Sequence, residues 1–510
     1  MGSELKKESI KTGKKLKEVS FEQRLDMDIT LPDYCADIKK ILRCTVVPGV
    51  HTVSLSGERA SAKGTGTVRV IYLAEGDKTD VFEKSVDLSS SAQFKELSPE
   101  SIVTAVCAVD FVNCRAVSQR KISISSNVST IFSLYGCDEG FYAVADENDG
   151  IQVKKEKLVF ENHLGFFEKT FDLAETVSLA GEHPPVGKII SCNCRILNLS
   201  HKLSGGKLLI KGDAVTDICY IPEKSENIFH TLSHSMPVSQ IADLRDVPDA
   251  AECNIRLRCC QLLCSAKADS SGSNRLVDVS LRVSAFVHAA EKKECEVITD
   301  CYCTKYETEE SFDLPDFLCP VREISEARQA KGEVELSSPV KEICFTNCLE
   351  ISKNIRYTEN KIQLECSALV LIMYIDGNGV PCLTEKNLDF DFAYSIVKKC
   401  DEPFGTFYIE PVSLSAAVGS GDKAELMLDY FVSGKAYCSC ERKILKELTV
   451  SEDKPKKSDG AALSLYFADK GESLWNIARS HNTTVSLIME ENSLKSENLK
   501  ENVMLMIPCG

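Results

Sequence analysis

Two spacings recur three times along this chain, and that repetition limits the possible folds more than any other feature. Ile41 is followed by Gly64 and Tyr72, at separations of 23 and 8. Ile189, Gly212 and Tyr220 keep both separations, as do Ile343, Cys366 and Tyr374. A repeat whose copies lie 148 and then 154 positions apart (41 to 189, 189 to 343) has the size of a whole domain, not of a solenoid turn. Each tyrosine closes a run of alternating apolar residues, such as Val68, Val70 and Tyr72, the period-two mark of a half-buried strand. About 50 residues on, each copy opens another strand with a basic residue, at Arg120, Arg275 and Lys423. Helical periodicity is scarce before residue 460. The expectation is a mainly β chain of three tandem antiparallel β-rich domains at 1–157, 158–304 and 305–450, each of ordinary domain size. Leu31-Pro-Asp33 recurs as Leu314-Pro-Asp316; because a residue before proline is held extended, each is expected to open a domain.

The 24 cysteines decide between a secreted, a metal-binding and a reduced intracellular protein. No Cys-x-x-Cys occurs, and the close pairs are Cys192/Cys194, Cys301/Cys303 and Cys438/Cys440. In a strand, residues two apart share a face, so these pairs read as small inward-facing residues and not as zinc ligands. Cys260/Cys264 and Cys344/Cys348 have spacings that zinc can use, but no second pair stands at a set distance. The first 19 residues are polar and Lys-rich with no apolar core, which predicts no secretory signal and reduced thiols in the cytoplasm. No apolar run reaches the roughly 20 residues that span a bilayer. A formal charge of −16 opposes nucleic-acid binding, which needs a basic face.

Catalytic signatures are missing. The chain has no phosphate-binding Gly-x4-Gly-Lys-Ser/Thr, no His-Glu-x-x-His and no Gly-x-Ser-x-Gly. Gly205-Gly-Lys207 lacks the partner glycine and the hydroxyl, and His230 and His234 stand in polar sequence. A non-enzymatic protein with no cofactor, catalytic residue or metal site is expected.

After Val450 the composition changes. Residues 451–462 lack large apolar side chains and read as a flexible linker before a compact unit at 463–510. Tyr466 to Ala468 is strand-like. Ser473 is placed to cap a helix with Leu474, Ile477 and Ala478 on one face, and Thr484 a second with Val485, Ile488 and Met489. Asn492 suits a left-handed helix stop, and Val503, Leu505 and Ile507 alternate in a closing strand. The order is β-α-α-β. In Gly471-Glu-Ser-Leu-Trp-Asn-Ile-Ala478, Thr483-Thr-Val485, Asn492 and Leu505-Met-Ile-Pro508 the unit resembles the LysM domain.

That resemblance implies a shallow groove for N-acetylglucosamine chains, with walls at Gly471, Glu472, Ser473 and Leu474 and at Ser496, Asn498 and Leu499. Each wall residue also has a purely structural reading, as turn, cap or core, and Trp475 reads as core before sugar platform. The family's proline and glycine before the last strand are replaced by Glu501-Asn502, where Asn is expected to take the left-handed turn. Three β-rich copies followed by LysM resemble the clostridial spore-coat morphogenesis proteins with tandem SPOCS domains. The resemblance implies a scaffold in the mother-cell cytoplasm at the forespore surface. Its LysM module would dock a coat morphogenetic protein, the coat ATPase among them, or a glycan. The alternative is a peptidoglycan-binding protein of the cell envelope.

Overall fold

Alternation of apolar and polar residues runs through the chain, and almost all of it is paired as antiparallel strand. The computed structural model describes residues 6–95, 97, 100–144, 150–224, 228–314, 316–358, 360–396, 403–456 and 462–508. Repeat 1 comprises β1 (Lys6–Thr30), β2 (Ile38–Ser56), β3 (Arg59–Ala74), β4 (Thr79–Gln93), β5 (Ile102–Ser118) and β6 (Lys121–Val144). They form two three-stranded sheets, ordered β1-β6-β5 and β2-β3-β4. Repeat 2 has the same plan in β7 (Ile151–Ser178), β8 (Val186–Ser204), β9 (Lys207–Pro222), β10 (His230–Asp243), β11 (Glu252–Lys267) and β12 (Leu276–Cys303), ordered β7-β12-β11 and β8-β9-β10. A short β13 (Tyr306–Asp313) precedes repeat 3, which comprises β14 (Asp316–Glu335), β15 (Val340–Thr358), β16 (Lys361–Asp376), β17 (Pro381–Ser395), β18 (Pro403–Val418) and β19 (Lys423–Glu441). It too pairs its first strand with its last, as β14-β19-β18 and β15-β16-β17.

The repeated spacing has a direct geometric cause. Ile41 pairs with Tyr72, Ile189 with Tyr220 and Ile343 with Tyr374, each pair facing across a hairpin. All three tyrosines are fully buried, so each hydroxyl needs a partner. The partner stands 36 residues earlier every time: Ala36 O at 3.0 Å, Pro184 O at 3.1 Å and Ser338 Oγ at 3.2 Å. The isoleucine-tyrosine pair therefore stands at the open end of the hairpin, away from its turn, and anchors the chain as it leaves the first strand.

Three local expectations change. Leu31 follows β1 and lies inside repeat 1, whereas Leu314 precedes β14, so the two tripeptides are not equivalent; Pro315 lies outside the described residues. The true counterparts of Leu31 are Leu179 and Leu336, whose amides donate to Arg275 O and Asp422 O as Leu31 does to Arg120 O. Asp422, and not Lys423, is thus the third member of that series. In repeats 1 and 2 the arginine has a purpose: Arg120 donates to Leu31 O, Pro32 O and Cys35 O, and Arg275 to Leu179 O and Ala180 O, gathering carbonyls at a chain reversal. The cut expected at 157/158 falls within β7, which begins at Ile151. The expected linker begins inside β20 (Ile444–Pro455), which pairs with β13; residues 457–461 lie outside the described residues.

Each repeat has its own core, and the repeats also share buried surface. Ile71, Cys219 and Met373, each one residue before its tyrosine, point away from their own sandwich and meet in one cluster with Ile190 and Phe345. A second shared cluster joins Ile10, Tyr142, Phe160, Val297 and Phe317. Repeat meets repeat through apolar side chains, so the trunk is a packed assembly and not a string of beads.

Candidate functional site

The C-terminal module is built from β21 (Leu463–Ala468), α1 (Leu474–Ser480), α2 (Val485–Glu491) and β22 (Val503–Pro508). β21 and β22 pair antiparallel, and Leu474, Ile477, Ala478, Ile488, Leu505 and Ile507 fill the space between sheet and helices. Two helices of 7 residues each hold their shape through this packing, being too short to persist alone.

Capping follows the sequence in part. Thr484 caps α2, its hydroxyl accepting from Leu487 N at 3.1 Å. Ser473 sits at the N-cap of α1 but its side chain makes no cap bond. Asn492 is not left-handed, with φ −100°; Ser493 takes the positive φ instead. The Asn492 amide is used otherwise: it donates to Met506 O and accepts from Met506 N, both at 2.7 Å, tying α2 to the closing strand. Asn502 is not among the positive-φ residues; its side chain accepts from Lys470 N at 2.8 Å.

The two expected walls do come together. Ser473 and Asn498 form an isolated antiparallel bridge, and Gly471 N donates to Leu499 O at 2.9 Å. Gly471 has φ +85°, a conformation that favours glycine. Leu474 and Leu499 are buried in the module core, so they support the walls from behind and do not line them. Glu472 is used internally, accepting from Tyr466 Oη at 2.6 Å and from Asp469 N at 3.0 Å, contacts that hold its carboxyl below the usual range. Gly471, Ser496 and Asn498 are exposed, and Ser473 is half-buried.

Two surfaces of the module escaped the sequence reading. On α1, Trp475 Nε1 donates to Asp300 at 2.8 Å, and Arg479 pairs with Asp300 at 2.9 Å and with Glu310 at 3.4 Å. Tyr302 packs edge-on against the Trp475 ring, 4.9 Å between centroids, and donates to Thr483 O at 2.8 Å. Trp475 is thus a docking residue that seats the module on the tip of β12. None of these contacts to the trunk comes from the groove walls.

The other surface is the outer face of the module's sheet. Leu465 lies opposite Met506, and Phe467 opposite Met504, with Leu463 continuing the row. Leu465, Phe467 and Met504 are 71%, 62% and 61% exposed. Alternation in β21 and β22 was legible, but both faces of this sheet are apolar, and a period-two reading assigns only one face inward.

In the trunk, the pairs Cys192/Cys194 and Cys301/Cys303 point inward as expected. Twenty described cysteines are outside any disulfide, whereas Cys438 is disulfide-bonded, which corrects the uniform reading of reduced thiols. Among the described residues no three His, Cys, Asp or Glu side chains are grouped as metal ligands. His234 pairs with Glu175 at 3.1 Å, and His230 stacks on Tyr220. A cavity of 1110 Å³ opens between the repeats, where Arg256 lies 4.0 Å over the Tyr408 ring. No described helix is long and apolar enough to cross a membrane.

A LysM-domain family model matches residues 469–508, and one for the SipL SPOCS domain matches residues 185–265. No curated protein and no solved structure matches the chain. The SPOCS match takes in β8 to β11 but for the last residues of β11, and the same strands recur in the same order as β2 to β5 and β15 to β18. The SPOCS match associates the chain with sporulation and the spore coat, and LysM is a peptidoglycan-binding type of domain. In both recognised modules and in their order, the chain matches the SipL-like spore-coat proteins that carry a LysM domain.

Proposed function

We propose that this chain is a non-enzymatic adaptor of spore-coat assembly. It works in the mother-cell cytoplasm at the forespore surface, and its LysM module docks a coat morphogenetic protein, the coat ATPase being the first candidate. The observation that carries this reading is the exposed apolar row Leu463, Leu465, Phe467, Met504 and Met506. A contiguous apolar patch of this kind marks a protein interface, and methionines let such a surface adapt to its partner. A glycan offers hydroxyls and acetamides and gains little from it. The packed trunk supports the same reading, since a rigid body with a separate docking module suits a link between two layers.

The second reading is glycan binding at a groove walled by Gly471, Glu472, Ser473, Ser496 and Asn498, with Leu474 and Leu499 buried behind it. Three exposed or half-exposed groups there, Ser473, Ser496 and Asn498, offer the polar contacts that it needs. Co-purification from sporulating cells separates the two. Leu465→Asp with Phe467→Asp should abolish recovery of the coat ATPase while leaving the trunk folded. Ser496→Ala with Asn498→Ala should leave that recovery intact. Retention of the full chain on purified cell wall, lost in the Ser496→Ala, Asn498→Ala variant and kept in the Leu465→Asp, Phe467→Asp variant, would establish the envelope reading.

A further inference from the structure

The cysteines of the trunk are paired in space according to a rule. β2 and β5 lie side by side but belong to different sheets, so only side chains join them. There, the side chains of Cys44 on β2 and Cys114 on β5 meet, both packed against the core of repeat 1. In repeat 2, the side chains of Cys264 on β11 and Cys192 on β8 meet likewise against that repeat's core. The two pairs are equivalent in register. Cys44 faces Val70 and Cys192 faces Ile218, each two residues before the repeated tyrosine. Cys114 faces Ile124 and Cys264 faces Val279, each four residues beyond the carbonyl-gathering arginine. Repeat 2 adds a neighbouring pair, Cys259 and Cys194, which interact side chain to side chain while their thiol hydrogens go to Gln261 O at 3.3 Å and Arg195 O at 3.9 Å. Repeat 1 has Val46 and Val109 at those positions, facing Val68 and Val128.

Repeat 3 provides the contrast. Its residues at the first pair's positions are Thr346, facing Ile372, and Ala416, facing Leu426. Thr346 donates to Leu414 O at 3.4 Å instead. The four thiols of repeat 2 couple two by two, and they do not converge as a ligand group.

We propose that Cys44–Cys114, Cys192–Cys264 and Cys194–Cys259 are disulfide-forming sites, which a hydroperoxide closes to staple the sandwich edge of repeats 1 and 2 while repeat 3 stays open. Cys192 is suited to begin the reaction. The adjoining Cys264 thiol, with the Arg69 guanidinium 3.7 Å from its sulfur, holds the Cys192 thiol below the usual thiol range. The thiolate attacks peroxide: a sulfur–oxygen bond forms, the oxygen–oxygen bond breaks, and hydroxide leaves and takes a proton to become water. The Cys264 sulfur then attacks the sulfenic acid. The disulfide forms, the sulfur–oxygen bond breaks, and the hydroxyl departs as a second water with the Cys264 proton. Two thiols are oxidised and one hydrogen peroxide is reduced to two waters. Because strands of different sheets share no ladder hydrogen bonds, a covalent tie there restrains what packing alone otherwise holds.

The full-length reduced protein treated with hydrogen peroxide, blocked with N-ethylmaleimide and mapped without reduction tests this directly. The expected map links 44 to 114, 192 to 264 and 194 to 259, and the unfolding midpoint rises until dithiothreitol is added. Cys44→Ser with Cys192→Ser and Cys194→Ser should lose all three links and the rise. Thr346→Cys with Ala416→Cys should gain a new link in repeat 3. Recovery of the six thiols in alkylated form after peroxide, or links that join any of these six to other partners, overturns the proposal. The wild-type map decides the matter even if a variant fails to fold.

Discussion

The trunk and the LysM module are joined to their neighbours by different means. Repeat holds repeat through fully buried side chains such as Ile71, Cys219 and Met373, which no water reaches. The module is seated by a single buried trunk side chain, Tyr302, and a few polar bonds centred on Asp300, with Trp475 only half-buried. An apolar interface of the first kind costs much to open, whereas ion pairs near solvent contribute modestly. The trunk therefore behaves as one body and the module as an attachment to it, with its apolar sheet face turned outward.

The largest test of this contrast lies in the trunk. Tyr220→Ala should destabilise it by about 3–5 kcal/mol, as loss of a buried ring does, whereas Tyr220→Phe loses only the bond to Pro184 O. Urea denaturation followed by circular dichroism measures both. If the two substitutions cost the same, the hydroxyl anchor and not the ring governs the repeat.

Asp300→Ala is the corresponding test of the attachment. It leaves Trp475 Nε1 and one arm of Arg479 without an acceptor, a loss of about 1–3 kcal/mol. Trp475 is the single tryptophan of the chain, so its emission reports on this seat alone. A red shift with an unchanged trunk midpoint is expected. Loss of the trunk's cooperative unfolding would show that the module is part of the body.

The smallest effect concerns pH. His163 and His288 hydrogen-bond at 3.1 Å between β7 and β12, and burial first, then neighbouring positive charge, pulls each down to about 4. The unfolded chain takes up these protons near 6.5, so it binds more of them than the folded chain between 6.5 and 4. The stabilisation from neutral histidine is complete above 6.5 and is lost as pH falls towards 4. Scanning calorimetry should show a trunk midpoint lower by a few degrees over that window, and His288→Gln should flatten the decline. An unchanged slope in that variant would place the sensitivity elsewhere.

Much of this architecture was legible because repetition and alternation are properties of neighbours in sequence. The Ile41–Tyr72 spacing is one hairpin seen three times, and the helix faces at Leu474, Ile477 and Ala478 follow from a period of 3.6. The misreadings share a cause as well. Leu31 and Leu314 look alike locally but stand at different strand ends, and Asn492 and Asn502 use their side chains on distant backbone instead of their own turns. The candidate groove was legible as a set of residues. That Leu474 and Leu499 lie behind it was not, since burial depends on what packs opposite.

By itself the sequence determined strand, hairpin, repeat and module order, because period and turn chemistry act over a few residues. Only the tertiary structure decided that the repeats share cores, that Trp475 faces Asp300, and that the thiols of β8 meet those of β11. Each of these contacts joins residues some 70 to 300 positions apart, and at such separations packing geometry, not local preference, selects the partner.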